Sequence, residues 1–461
     1  MKAALEKSHR FGWGMATLAV VGGLHVVGVS SNIQSACLIS WALFCWITAT
    51  LPGWWAGLMF ITTGMLLALA PPTVMLSGMA SSATWMVLSG SVLGAAIEYT
   101  GLGKRLAVIM SPWLCRSFYH AVWGSMLLGV CVMLIMPSAM SRILLLLPLL
   151  AALADTLGYT ERHRGRTAVL LGGVLGTYLP ASAVLPANIP NNVLAGAIEA
   201  LSGHGPQYGS YLLLHFPLLG LAKLVLLGGI LSILYHDDAP INTKALPEQL
   251  CAYVPMTVPQ WRLAIVLSVT VIAWCTEGLH GCSSAWVGML AAVVCLCPAS
   301  SVLPTKPLSH IDFSPVFYVA GIVSMGALAS YSGIAQAVAA QVLVVMPLAG
   351  HAPVTNFMTL SVLSSLMGVL VTLPGVPAVL TPMTPMLSQA TGWSDMAVYM
   401  TQVVGFSTVW LPYQAPPLVM VVQSGHVRLN DMVRICLITA ALSLLVLWPL
   451  DILWWCWLGW I

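Results

Sequence analysis

Two hexapeptides offer backbone chemistry inside long apolar runs. They are Leu185-Pro186-Ala187-Asn188-Ile189-Pro190 and Leu411-Pro412-Tyr413-Gln414-Ala415-Pro416, each a proline pair around an amide. Interior proline removes a helical hydrogen bond at a cost of about 3 kcal/mol, so each pair is expected to break its helix. Two further interruptions, Pro137 to Met140 and Thr372 to Val376, place polar residues and proline in otherwise apolar sequence. Carbonyls freed at such breaks suit a small cation. Helices restarting near Ser141 and Ala378 would turn their positive N-terminal ends toward the interruptions, which favours an anion. An anion site beside a cation site is therefore the chemistry on offer.

Single ionisable residues add less. Arg142 is either an anion partner, for which its bidentate fork suits a carboxylate, or a structural arginine paired to carbonyls. Lys223 stands alone midway along a span, with no match in the second half, and reads as structural. Asp155, Glu161 and Asp451 fall at span ends. Neither an HExxH pattern nor two carboxylates on one helix face is present, so an intramembrane enzyme lacks its acid, base or metal cluster. No cofactor is expected.

The elements that position these residues must sit in lipid. Of 461 residues, 59% are hydrophobic and 6% charged, whereas a water-soluble domain carries about 25% charged residues. This composition excludes a secreted enzyme, a nucleic-acid binder and a disordered scaffold, and makes the bilayer the solvent. The 11 cysteines lack zinc or disulfide spacing and read as packing residues.

Runs of about 20 apolar residues cross a hydrocarbon core. They fall at 11–30, 33–50, 54–70, 84–102, 166–200, 209–235, 262–280, 284–299, 314–333, 398–424 and 432–458. Two leftover stretches, 119–157 and 354–392, are broken by Pro137 and by Pro374 and Pro377, and read as re-entrant hairpins. With both entering and leaving by one side, every Lys and Arg except Lys223 and Arg142 falls on a single side of the bilayer. That side is cytoplasmic by the positive-inside rule. The expected fold is an all-α polytopic membrane protein of about eleven transmembrane helices plus two hairpins. Its N-terminus would be cytoplasmic and its C-terminus periplasmic.

The chain also resembles itself. The stretch from Trp85 aligns without gaps on that from Phe317, matching Gly94 to Gly326, Tyr99 to Tyr331 and Gly101 to Gly333. The tips and the two proline hexapeptides follow in the same order. In the topology above the two units run in opposite directions, the mark of an inverted-repeat secondary transporter. The expected divisions are scaffold helices at 1–83, a first repeat at 84–235, a cytoplasmic loop with connecting helices at 236–313, and a second repeat at 314–461.

These motifs resemble the divalent anion/sodium symporters, which carry dicarboxylates, citrate or sulfate. That family's PSNTAR tip is similar to Pro137-Ser138-Ala139-Met140-Ser141-Arg142 followed by Pro148. Its AxN break resembles Ala187-Asn188 or Asn191-Asn192, and its closing pattern resembles Leu411 to Pro416 with Ser424-Gly425. The resemblance implies a substrate site at Ser138, Ala139, Met140, Arg142, Asn188, Thr372, Leu373 and Gln414. It implies a cation site at Ser138, Asn188, Asn191, Thr372, Gly375 and Gln414, and a homodimer in a bacterial inner membrane.

The tips depart from the family's Ser-Asn-Thr. Ala139 and Met140 replace the amide and hydroxyl, and the second tip reads Thr372-Leu373-Pro374. Lost donors weaken the hold on a fully charged divalent anion. The expected function is cation-coupled alternating access for a di- or monocarboxylate, or for sulfate, driven by sodium or by protons. An arsenite-type or channel-like anion permease and a carboxylate exchanger are the alternatives.

Overall fold

A computed structural model describes residues 27–161, 163–236 and 255–461, with Gly12, Ala19, Gly23 and His25. Lys2, Lys7, Arg10, Arg162, Lys244 and most of the expected span at 11–30 lie outside the described residues. Every regular element among those described is helical. Helices α1 (Ser31–Thr48) and α2 (Gly53–Leu66) come first. A first series follows: α3 (Ser82–Thr100), α4 (Leu102–Leu114), a hairpin of α5 (Phe118–Ile135) and α6 (Ala139–Thr156), then α7 (Arg164–Tyr178), a break, α8 (Ile189–Ser202) and α9 (Tyr208–Leu234).

Helices α10 (Val258–Cys275) and α11 (Ser284–Leu296) connect to a second series in the same order. It comprises α12 (Ser314–Tyr331), α13 (Ile334–Val345), a hairpin of α14 (Pro353–Val371) and α15 (Gly375–Leu380), then α16 (Asp395–Phe406), a break, α17 (Pro416–Gln423) and α18 (Leu429–Trp457). A short 3-10 turn carries the second hairpin from α15 on to Thr384–Thr391. Even the irregularities recur: α9 contains a π-helical turn at Phe216–Ala222 and α18 one at Ser443–Leu447.

Seven of these helices are long and apolar enough to cross a membrane unaided: α5, α6, α9, α10, α12, α14 and α18. The expected spans at 166–200 and 398–424 are not continuous helices. Each is two short helices, the first ending at Tyr178 or Phe406 and the second opening with the closing proline of its hexapeptide in its first turn, where the missing N–H costs nothing. Residues 103–118 and 334–353, taken as connections, contain α4 and α13. Gly101 and Gly333, aligned in the sequence, adopt φ of 70° and 77°, and this left-handed step ends one helix and lets the next begin at once.

Local chemistry fixes the helix starts. Ser81 caps α3 and Ser117 caps α5. The Glu199 carboxylate accepts from Ser82 N and Oγ, both at 2.8 Å, at the positive end of α3. Glycines then allow close backbone approach, the usual basis of helix packing in lipid. A Cβ on Gly321 of α12 would lie 2.3 Å from Gly57 Cα of α2, and one on Gly176 of α7 would lie 2.8 Å from Met126 Cα of α5. Gly321→Ala is therefore expected to destabilise by about 1–3 kcal/mol. Thermal unfolding in detergent should show a lowered midpoint, whereas Gly229→Ala, with open space around its Cβ, should leave the midpoint unchanged or raised.

Candidate functional site

Each hairpin tip sits against the glycine stripe of its own series. Gly94 of α3 faces Met136 and Ser141, at 3.7 and 3.8 Å from its would-be Cβ. The aligned Gly326 of α12 faces Ala378 O at 3.3 Å and Pro382 at 3.7 Å. Across the series the partners exchange: α8, which follows the first break, packs on α15, which follows the second tip, while α17 packs on α6. Two tips and two breaks are thereby drawn into one region.

Ser138 caps α6, accepting from Ser141 N at 3.3 Å and Ser141 Oγ at 3.0 Å. Ala139 is buried beneath the tip and Met140 is exposed. Arg142, which the sequence leaves between two roles, is fully buried and spends its terminal nitrogens on backbone. Nη1 donates to Met136 O (2.7 Å) and Pro137 O (3.0 Å), and Nη2 to Ala187 O (2.9 Å) and Thr177 O (3.3 Å). It ties the first tip to the first break, and its fork is not free to take an anion.

In the first break, Asn188 is buried beside the Tyr178 hydroxyl. Its carbonyl accepts from Asn192 Nδ2 at 3.1 Å. Asn191 Nδ2 donates to Ala181 O (3.0 Å) and Val184 O (2.9 Å), while its Oδ1 has no partner. Because two carbonyls hold Nδ2, the amide cannot be turned over, and the spare atom is an acceptor.

The second tip is held differently. Thr372 adopts φ 65° and ψ 165°, a region almost confined to glycine, at a cost of about 1–3 kcal/mol. Leu373 N donates to Gln414 O at 3.1 Å, and Gly375 is buried against Val371. Gln414, fully buried, accepts on Oε1 from Trp410 N and Leu411 N, both at 2.8 Å. Its Nε2 has no partner and lies against Gly368. Two N–H groups fix this orientation too, so the spare group is a donor.

The structure thus brings together Ser138, Arg142, Asn188, Asn191, Thr372, Leu373, Gly375 and Gln414 as positions of two tips and two breaks, with Met140 at the exposed margin. Sequence reasoning missed Tyr178 and Tyr318. Tyr178 lies beside Asn188 and within electrostatic reach of Arg142 and Tyr318, and Tyr318 lies beside the Thr372 side chain. The sequence carries a single faint signal for them, an aromatic near each element, and aromatics are common in lipid.

Helical hairpins, interrupted helices and a polar centre with a spare buried acceptor and donor define a membrane-embedded secondary transporter, not an enzyme. Residues 16–461 match the model of the sodium:sulfate symporter transmembrane region, and the chain belongs to that family. A membrane protein of Cupriavidus necator is 23% identical over 396 residues, covering 84% of this chain and 77% of that one. The inorganic phosphate transporter PHO87 of Saccharomyces cerevisiae is 25% identical over 276 residues, covering 58% of this chain and 28% of the yeast protein. The YdaH transporter of Alcanivorax borkumensis shares the fold, with a TM-score of 0.54 at 16% identity over 84% of this chain and 88% of that one.

Arg142→Met should expose the bracing role. Hydrogen bonds from a charged donor contribute about 1.5–3 kcal/mol each, and four carbonyls would lose their partner. A fall in the unfolding midpoint is expected with no anion present; an arginine that served only as an anion ligand would leave that midpoint intact.

Proposed function

We propose that the protein is a cation-coupled secondary transporter of a small carboxylate, with sulfate or phosphate as secondary substrates, working by alternating access. The observation that carries this reading is the pairing of unsatisfied buried atoms: Asn191 Oδ1 as an acceptor for a cation and Gln414 Nε2 as a donor for an anion. The Ser138-capped start of α6 adds dipole-oriented N–H groups. Ala139 and Met140, in place of an amide and a hydroxyl, favour a less highly charged carboxylate over a fully charged divalent anion. They also favour a shallow dependence on sodium, with protons as the alternative driving ion.

The two element series form an inverted repeat related by an axis in the membrane plane, and the hairpin-containing bundle moves against a fixed remainder. Each hairpin with its broken helices moves as one body, and a homodimer contacts through helices outside the hairpins. The N-terminus is cytoplasmic and the C-terminus periplasmic in a bacterial inner membrane. In intact cells, His204→Cys should label with an impermeant thiol reagent and Lys244→Cys should label only after permeabilisation. Labelling of both from one side would overturn this topology.

Uptake by proteoliposomes of radiolabelled acetate, succinate, sulfate and phosphate, under an imposed sodium or proton gradient, tests the function. Counterflow separates a carrier from a channel, since only a carrier exchanges. Gln414→Glu keeps the oxygen that holds Trp410 and Leu411 but removes the spare donor. Loss of one buried hydrogen bond costs about 1–3 kcal/mol, so the half-saturation concentration should rise roughly 5- to 150-fold. Unchanged saturation at normal expression would assign the amide to packing.

A further inference from the structure

Two buried charges lie away from the tips. Lys223 on α9 and Asp451 on α18 are 1% and 0% exposed. Each follows a π-helical turn: Phe216–Ala222 runs directly into Lys223, and Ser443–Leu447 ends four residues before Asp451. Such turns are rare and concentrate at functional sites. Lys223 Nζ donates to Ser407 O at 3.0 Å and Ser407 Oγ at 2.9 Å, where α16 ends and the second break begins. Asp451 lies within electrostatic reach of Lys223 and beside the Trp455 indole, and neither of its carboxylate oxygens has a partner in good hydrogen-bond geometry.

A connected set of polar rings leads from this pair to a cavity. Trp455, one turn beyond Asp451, meets His215 of α9 with ring centroids 6.0 Å apart, and His215 meets Tyr211 at 4.7 Å. His215 Nε2 contacts Met400 Sδ at 3.5 Å, and its Nδ1 has no partner. Tyr211 and Met400 line a cavity of about 510 Å³, together with His204, Gln207 and Trp460. The Tyr211 hydroxyl also donates to Ser182 O in the first break at 2.7 Å. These contacts reach both breaks, Ser182 in the first and Ser407 in the second.

Other titratable groups on the packed elements are engaged or lie at helix ends. Neither α14 nor the Pro180–Ala183 turn brings any. Helix α16 brings Asp395 and Tyr399 beside the cavity residues Met396 and Met400; α5 brings Tyr119, His120 and Cys131. On α7, Arg164 and Arg166 sit at the start, Arg166 paired with Asp155, and Tyr178 at the end. On α10, Arg262 donates to the Ala299 and Ser300 carbonyls and Cys275 is the last residue; beyond it, Glu277 accepts from Tyr208 N. At the other end of α9 and α18, Asp431 holds Tyr235 and Arg428 near Arg434 and Cys436; Cys456, on the Asp451 end of α18, is exposed.

We propose that Asp451 and Lys223 form a proton-binding site, reached from the cavity through Tyr211 and His215, whose occupancy is transmitted to the second break through Ser407. The step is a proton transfer alone. An O–H bond forms on an Asp451 carboxylate oxygen as one breaks on a hydronium ion from the cavity, leaving water, and the reverse step returns the proton to water. Protonated Asp451 leaves the Lys223 ammonium uncompensated in a low-dielectric interior, an arrangement that costs free energy. An anion at the adjoining break restores neutrality, so proton and anion favour each other's binding. This linkage rests on the transport reading above; the proton site does not.

The test has two arms. In lipid nanodiscs, infrared titration from about pH 5 to about pH 9 should show a protonated-carboxyl band that Asp451→Asn abolishes, and whose midpoint moves in Lys223→Gln. In proteoliposomes given labelled succinate or sulfate, a gradient of about one pH unit driving one proton per anion should give about tenfold accumulation. Asp451→Asn, and the charge-neutral Lys223→Gln/Asp451→Asn double variant should the single one misfold, should keep counterflow yet lose that accumulation. A carboxyl band unchanged in Asp451→Asn, or accumulation retained in it, overturns the proposal. Failure of the wild type to move either anion counts against the transport reading, while the infrared titration still decides the proton site.

Discussion

Backbone hydrogen bonds interrupted inside a bilayer must find partners within the protein, and the rest of this structure depends on how they do. At the first tip and the first break, four carbonyls turn to one guanidinium. Each unsatisfied group would cost several kcal/mol in hydrocarbon, and a planar fork is the one side chain that reaches four oxygens on two segments at once. Arg142 thereby allows α6, α7 and α8 to end and begin where they do. Its charge is balanced by carbonyl dipoles, while its Nε, the Thr177 hydroxyl and Asn191 Oδ1 are left without a partner.

The second tip and break meet the same constraint with a neutral residue. Gln414 accepts two N–H groups on its side chain and one from Leu373 on its carbonyl, so the tip is tied to the break by main-chain and amide bonds. Thr372 absorbs the remaining turn in a strained conformation. One half is braced by charge and the other by an amide, and so the two spare groups differ in kind, an acceptor in the first and a donor in the second.

Helices α9 and α18 close the two series. Their π-helical turns rotate the following residues relative to a regular helix, and this turns Lys223 and Asp451 inward from helices that are otherwise lipid-compatible. Lys223 then reaches Ser407 at the edge of one break, and Tyr211 reaches Ser182 in the other. Charge placement in the core and backbone irregularity at the centre are thus parts of one arrangement.

The sequence by itself determined the solvent, the helical class, the doubled order of elements and the four points at which helices stop, because composition, proline and glycine act locally. Pro137, Thr372, Asn188 and Gln414 were legible as positions for that reason, and so was the family. The roles of Arg142 and Lys223 were not, since they depend on carbonyls of Ala187 and Ser407, 45 and 184 residues away. Asp451 read as a span-end carboxylate and Lys223 as a charge without a counterpart, because a π-helical turn shifts helical phase with no mark in the residue pattern. Tyr178 and Tyr318 gained their place beside Asn188 and Thr372 only through the packing of α7 and α12. Which carbonyl a buried donor meets is decided where distant segments cross, and only the tertiary structure brings those segments together.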